Sequence, residues 1–351
     1  MINAVLDHQC CNRNTWNAKA KFAVTKVHGA FGSNRTRQPK RRLPAAAFHI
    51  ALGFCAVVFG FGCAHTHSHS DGHSHSHADG RTHSHAEIEH NITTEQKPWT
   101  SLDVNNDPNQ FQFVIVTDRT GGARPGIFET AVDKINLLQP EFVVSVGDLI
   151  EGDKANVAEV DAQWQEFKGI IGKLEMPFFH VPGNHDMKSN MMVEEWRRRF
   201  GPIYYHFRYR DVLFLCLNTE DPPDTNMSDA QVEYVRKALD ENKDVRWTLV
   251  FMHKPLWDYD KPTGWAKVEE MLKDRPHTVF TGHRHSYMKF ERHAHKYFVF
   301  ATTGGSTKLR GVAEGEFDHV VWVTMMKDGP RIANLMLDGI LDENVRLAPA
   351  K

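Results

Sequence analysis

Residues 111–120 read FQFVIVTDRT: an apolar run of strand length that ends in an acid, a base and a hydroxyl. A run this short suits a buried strand, and Gly121-Gly122 breaks the chain after it. The same grammar recurs four times. EFVVSV at 141–146 leads into Gly147-Asp148-Leu149-Ile150-Glu151, and Pro177–Val181 leads into Gly183-Asn184-His185-Asp186. Trp247–Met252 leads into His253-Lys254-Pro255, and His277–Phe280 into Gly282-His283-Arg284-His285. Helical spacing fills the intervals: Ile127, Val132, Ile135 and Leu138; then Val160, Trp164, Phe167, Ile171 and Leu174; then 190–200, closed by Gly201-Pro202. Ser228 reads as the cap of a helix over 229–241, and Trp265–Leu272 as a short helix. Three hairpins are predicted: Tyr204–Tyr209 with Val212–Leu217, Tyr287–Arg292 with Tyr297–Thr302, and Val320–Met325 with Arg331–Leu337. Strands alternating with helices early and pairing as hairpins late predict an α/β sandwich of mixed sheets, not a Rossmann fold or a barrel.

Loops beyond strand ends of an α/β sheet are where ligands usually sit. Each of the five segments brings carboxylate, amide or imidazole groups there, a donor set that suits Mn, Fe, Zn or Ni. Taken singly, Asp118 reads as a cap or turn residue, His253 as a structural histidine and Gly147-Asp148 as a common turn. Gly-Asn-His-Asp and Gly-His-x-His are much rarer, and five such segments in order make accident improbable.

These five segments resemble the calcineurin-like metallophosphoesterase family over about residues 111–340. The resemblance implies a four-layer α/β/β/α sandwich with two divalent metal ions between the sheet ends. It implies that Asp148 bridges both ions, that Asn184, His253 and His283 complete one site, and that Asp118 and His285 serve the other. It also implies that His185 lies near the leaving group, positioned by Asp186. One position departs from the pattern. The family's first motif usually reads Asp-x-His, whereas here Thr120 stands in place of the histidine. Thr120 cannot replace imidazole as a strong ligand, which leaves the first ion to Asp118, Asp148, His285 and water.

Two divalent ions would neutralise the anionic oxygens of a phosphate monoester or diester and activate water to attack phosphorus. A protonated His185 would donate to the leaving oxygen. Arg119 and Arg124, beside Gly121-Gly122, are candidates for holding substrate phosphate, against the commoner solvated arginine. Trp257 is the candidate for stacking on a substrate ring; Trp164 reads as core and His319 as structural.

The 351 residues carry a formal charge of -2. Residues 1–42 hold nine Lys/Arg and one acid, so the remainder carries 33 basic and 43 acidic residues. An acidic body predicts no nucleic-acid partner, because a phosphate backbone needs a basic face. Leu43–Ala64 is uncharged, follows Lys40-Arg41-Arg42 and ends in small residues, as an export signal does. The run is also long enough to span a bilayer, and Gly62-Cys63 partly matches a bacterial lipoprotein box. An exported protein is therefore expected, membrane-anchored or periplasmic or extracellular, with Cys63 as a lipidation candidate. The long basic region before the signal suggests a start site placed too far upstream. The histidines between His65 and His90, mostly alternating with Ser, Thr or Ala, form a tract without core-forming residues. The tract reads either as a site for extra metal ions or as a plain tether. The expected organisation is 1–64 basic extension and signal, 65–108 His-rich linker, 109–340 metallophosphoesterase domain and 341–351 tail. Of the five cysteines only Cys216 falls in the domain, so no disulfide braces it. The competing function is an exported metal-binding protein whose His tract does the work and whose phosphoesterase-like domain is catalytically weakened.

Overall fold

The computed structural model describes residues 88–340 apart from residues 90, 92, 103, 153–155, 222–224 and 262. The expected signal and lipidation site, the histidines of the tract and the 341–351 tail lie outside the described residues. Among the described residues no helix is long and apolar enough to cross a membrane.

Strand β1 (Phe111–Val116) shows how the layers arise. Side chains on a strand alternate between faces. Phe113 and Ile115 enter one buried cluster while Val114 and Val116 enter another, so both faces of the strand are covered. Strands buried on both sides read as continuous apolar runs, as this one does. β1 pairs in parallel with β2 (Val143–Ser145), which pairs in parallel with β3 (Phe178–Phe179). On its other side β1 runs antiparallel to β10 (His319–Met326), which is bordered by β11 (Gly329–Met336). The second sheet has the order β4-β5-β6-β7-β9-β8. Its parallel centre is β5 (Val212–Cys216), β6 (Trp247–Phe251), β7 (His277–Thr281) and β9 (His295–Val299). Its antiparallel edges are β4 (Tyr205–Tyr209) and β8 (Met288–Arg292).

Three apolar cores separate four layers. Helices α1 (Ile127–Leu138), α2 (Val157–Ile171) and α3 (Asn190–Phe200) bury Ile135, Trp164 and Trp196 against Val114 and Val143 of the first sheet. Between the sheets, Phe111 and Phe113 meet Phe214 and Phe251. Behind the second sheet, α4 (Asp229–Glu241) and α5 (Trp265–Leu272) bury Val235, Trp265 and Val268 against Leu215 and Val250. This is the expected α/β/β/α sandwich of mixed sheets. Ser228 caps α4 as expected, its side chain accepting from the Gln231 amide. Cys216 is free and buried between the sheets. The parallel strands matter for function, because β1, β2, β3, β6 and β7 all deliver their carboxyl ends to the loops that carry the polar motifs.

His277 and His319 are fully buried. His319 Nδ1 lies 3.2 Å from Asn334 Oδ1, its Nε2 has no hydrogen-bond partner, and the rings of Phe300 and Phe317 flank it. Burial pushes both imidazoles down to about 4, against 6.5 ordinarily. The folded state therefore resists a proton that the unfolded chain accepts. Stability from each histidine is complete above pH ~6.5 and is lost as pH falls from there towards the folded value. Each histidine contributes about 3 kcal/mol over that window. Urea midpoints measured from pH 7.5 to 4.5 should fall steeply, and His319→Gln should flatten the slope. An unchanged slope in that variant would show that His319 takes up its proton alike in the folded and unfolded states.

Candidate metal centre

The six expected ligands converge where the parallel strands of both sheets end. Asp148, His253 and His283 form one group whose ligand atoms all lie within 4.8 Å of one another, and Asp118, Asp148 and His285 form a second. Asp148 belongs to both. Asn184 joins the first group through Oδ1, 3.0 Å from His253 Nε2. His185 lines the same cavity as Asp148, Asn184, His283 and His285, a space of about 620 Å³. A second cavity, about 550 Å³, meets the centre at Asn184 and His283 and extends past Lys254 to α3.

The chain reaches this arrangement through unusual backbone. Asp118, Asp148, His283 and His285 all have positive φ, between 36° and 73°. Non-glycine residues rarely adopt that region, which costs of order 1–3 kcal/mol at such sites. Two glycines make room for the carboxylates. A Cβ on Gly183 would overlap Asp148 Oδ1, and one on Gly282 would overlap Asp118 Oδ2.

Backbone groups aim the ligands. The His185 amide donates to Asp148 Oδ1 at 3.0 Å and the His283 amide to Asp118 Oδ1 at 2.8 Å. His253 Nδ1 donates to the Val146 carbonyl at 2.9 Å, which turns Nε2 towards Asp148 Oδ2 at 3.2 Å. His285 Nδ1 donates to the Ser306 carbonyl at 2.6 Å, leaving Nε2 3.4 Å from Asp118 Oδ1. A hydrogen bond at one ring nitrogen fixes the tautomer that frees the other for a metal. With protein groups alone, burial opposes charge on both Asp148 and His253, yet their mutual attraction overrides it. The Asp148 carboxyl is held down and the His253 imidazole up. Burial and the neighbouring His253 push His283 down to about 3, so it stands as a neutral donor. Two buried carboxylates, three imidazoles and an amide oxygen, with free ring nitrogens turned to shared points, fit a pair of divalent ions.

The Thr120 hydroxyl is turned to backbone carbonyls. The residue is fully buried, and its hydroxyl lies 3.1 Å from the Asp148 carbonyl and 2.9 Å from the Ile150 carbonyl, tying two motif loops together.

Three expectations need correction. Asp186 does not hold the His185 imidazole. Its Oδ1 accepts from the Leu149 and Ile150 amides at 2.9 and 3.0 Å, and its Oδ2 from Gly183 at 2.8 Å. It locks the two ligand loops together, while burial and the nearby Asp148 push its own carboxyl up to about 7. The partner of His185 is Glu151, whose carbonyl accepts from Nδ1 at 2.7 Å and whose carboxylate lies 3.9 Å away. The structure does not bring Arg119 or Arg124 into the metal cavity. Arg119 donates to the Leu149 carbonyl and to Glu166, with its guanidinium over Phe128 and Phe167. Arg124 donates to the Gly305 carbonyl and pairs with Asp318. Their donors are engaged in holding loops. Trp257 packs edge-on against Tyr297, 5.0 Å between centroids, and against Phe290, and lines neither cavity at the centre.

Reading the sequence missed Glu151 and the Gly305-Ser306 segment. Glu151 stands three residues after Asp148 in the same segment. Ser306 acts on His285 through its carbonyl, which leaves no side-chain signal.

A family model for the calcineurin-like phosphoesterases matches residues 111–287. The human serine/threonine-protein phosphatase CPPED1 is 27% identical over 214 residues, covering 54% of this chain and 65% of that protein. The mouse protein of the same name is 28% identical over 181 residues, 45% of this chain and 58% of its own length. The chain thus spans less than two thirds of these relatives. Among solved structures, the purple acid phosphatase PPD1 from yellow lupin seeds superposes with a TM-score of 0.52 at 15% identity, over 66% of this chain and 52% of that one. GAP50, described as the anchor in the inner membrane complex of Plasmodium, gives 0.52 at 16% identity over 66% and 86%. At such identities these two structures share the fold and nothing finer. With a match that runs from β1 to just beyond β7, this chain belongs to the calcineurin-like phosphoesterase family.

Proposed function

We propose that the chain hydrolyses a phosphate monoester or diester with two divalent ions. The observation that carries this reading is the pair of ligand groups sharing Asp148. Such ions, when bound, offset the negative charge of the phosphate and acidify a water for attack. The chain's own residues hold and orient. Asp148, Asn184, His253 and His283 hold one ion; Asp118, Asp148 and His285 hold the other. The Glu151 carbonyl fixes the His185 ring through Nδ1, leaving Nε2 on the Gly121 side. A proton carried at His185 Nε2 is then placed for the leaving oxygen. Asp186 acts at one remove, by holding the 147–150 and 183–186 loops at a fixed separation. Export by the 43–64 segment and additional metal binding by the His tract belong to this proposal.

The second reading, a metal-binding protein with a weakened domain, draws on Thr120. Its hydroxyl is bonded to backbone carbonyls, so the first site has three protein ligand residues.

The discriminating assay uses the protein with aryl phosphate mono- and diesters and Mn, Fe, Zn or Ni. Turnover should fall at least ~10³-fold in Asp148→Asn and ~10²-fold in His185→Ala. A folded, metal-loaded protein with no turnover under any metal would leave only the second reading. A paired alanine test addresses the centre's packing. Gly183→Ala should displace Asp148 and remove bound metal, measured by elemental analysis. Gly169→Ala, on α2 with open space around its Cα, should retain metal and gain about 0.5–1 kcal/mol of stability. Equal metal content in the two variants would contradict the close approach at Gly183. Finally, Thr120→His should raise metal affinity at the first site, read by calorimetric titration. Unchanged affinity and stoichiometry would show that position 120 is out of reach of the ion.

A further inference from the structure

The segment from Gly304 to Glu316 has a rigid base and a projecting tip. At the base, the Gly305 amide donates to the Asp118 carbonyl at 2.8 Å, Ser306 Oγ to the Gly121 carbonyl at 2.5 Å, and the Ser306 carbonyl receives His285 Nδ1. At the far end, Gly311 and Glu316 exchange backbone hydrogen bonds of 3.0 and 3.1 Å. The Tyr287 amide donates to the Gly315 carbonyl at 2.8 Å, fastening that end beside β8. Residues 307–310 therefore form a short tip between two anchored ends.

The tip puts Lys308 into the wall of the cavity that holds Asp148, Asn184, His185, His283 and His285. The other charged groups of that wall, the metal ligands apart, already have partners. Arg284 pairs with Asp258 at 2.5 Å. Glu316 is gripped by Arg310, whose Nε donates to Oε2 at 2.8 Å and whose NH2 reaches Oε1. Arg310 thus masks the one carboxylate on this wall that is not a metal ligand and would repel an anionic substrate. Lys308 is exposed and lies within 4.0 Å of no carboxylate among the described residues; its charge adds to that of Arg310 in lowering the Glu316 carboxyl. The cavity, about 620 Å³, is in the size range that holds a drug-sized ligand rather than a phosphoryl group alone.

Resting on the phosphoesterase reading, we propose that Lys308 is a specificity-determining residue that binds a second anionic group on the substrate, next to the scissile phosphate. The substrate class is then a phosphoester with a neighbouring carboxylate or phosphate, rather than one with a neutral leaving group. Both kinds of second anion offer an ammonium the same contact, an oxygen bearing negative charge. Arg310 acts at one remove, by holding Glu316 out of that role.

The test compares O-phosphoserine with O-phosphoethanolamine, which lacks the carboxylate, as competitors of 4-nitrophenyl phosphate hydrolysis by the metal-loaded protein. An exposed ion pair predicts an inhibition constant about threefold to fivefold lower for phosphoserine. Lys308→Met should bring the ratio to about one, and Lys308→Glu should invert it. Arg310→Ala should weaken both compounds together by exposing Glu316. Lys289→Met, a lysine on β8 outside the cavity, should keep the wild-type ratio. Pyrophosphate against phosphate gives the second arm: a preference lost only here assigns the subsite to phosphate, and one lost only with phosphoserine assigns it to carboxylate. Calorimetric titration of the same compounds into the Mn-loaded protein gives the comparison without turnover, so an inactive enzyme overturns the phosphoesterase reading separately. A wild-type ratio of one, or a ratio that survives Lys308→Glu, overturns the role of Lys308.

Discussion

Asp148 is the constraint on which the centre depends. The residue is 1% exposed, and its carboxylate belongs to both ligand groups and shares its surroundings with buried Asp118 and Asp186. A buried charge must be paired or bound to a metal, because isolated ionisation in a low-dielectric interior is prohibitively costly. Nearby, Asp148 raises the His253 imidazole against its burial, and burial together with His253 lowers that of His283. The two buried carboxylates of the ligand groups, Asp118 and Asp148, concentrate negative charge, a deficit that divalent cations would offset. The same arrangement that would attract cations thus supplies their ligands.

Holding that deficit open costs backbone energy as well. Four ligands sit at positive φ, and such strain persists only where the surroundings over-determine it. Here the surroundings are two sheets whose parallel strands end at one edge, with glycines where the carboxylates pass. Asp186 completes the restraint: three amides from two loops converge on one carboxylate. Its distance from the His185 ring is part of its usefulness. A carboxylate that fixes loop geometry is saturated by backbone donors, and a saturated carboxylate has little left for the His185 imidazole. The Glu151 carbonyl takes that task and leaves the cavity side of the ring open.

What could be read from the sequence follows from this division. β1, β6 and β7 were legible because burial on both faces writes a continuous apolar run. The ligand loops were legible because their chemistry lies in side chains at the ends of those runs. Glu151 and Ser306 act on histidines through main-chain carbonyls, which any residue possesses, so residue type carried no signal. Arg119, Arg124 and Trp257 were misread for a related reason. Proximity in sequence to a ligand loop says nothing about which side of the loop a long side chain takes. Arg119 turns to Glu166 and the rings of α1 and α2, Arg124 to Asp318, and Trp257 to Tyr297 behind the second sheet.

Thr120 shows how a position beside the centre can serve the fold. Its hydroxyl lies within bonding distance of the carbonyls of Asp148 and Ile150, while the Thr120 amide donates to the Asp148 carbonyl at 3.2 Å. Those contacts brace the loop that carries Asp118 against the loop that carries Asp148. An imidazole at position 120 would add a donor to the first ion. A threonine instead adds hydrogen bonds that hold the two carboxylates at a fixed separation, whether or not an ion is bound. Net hydrogen bonds are worth about 1 kcal/mol each, whereas a metal ligand contributes only while the metal is present. Threonine at position 120 therefore contributes to the fold itself.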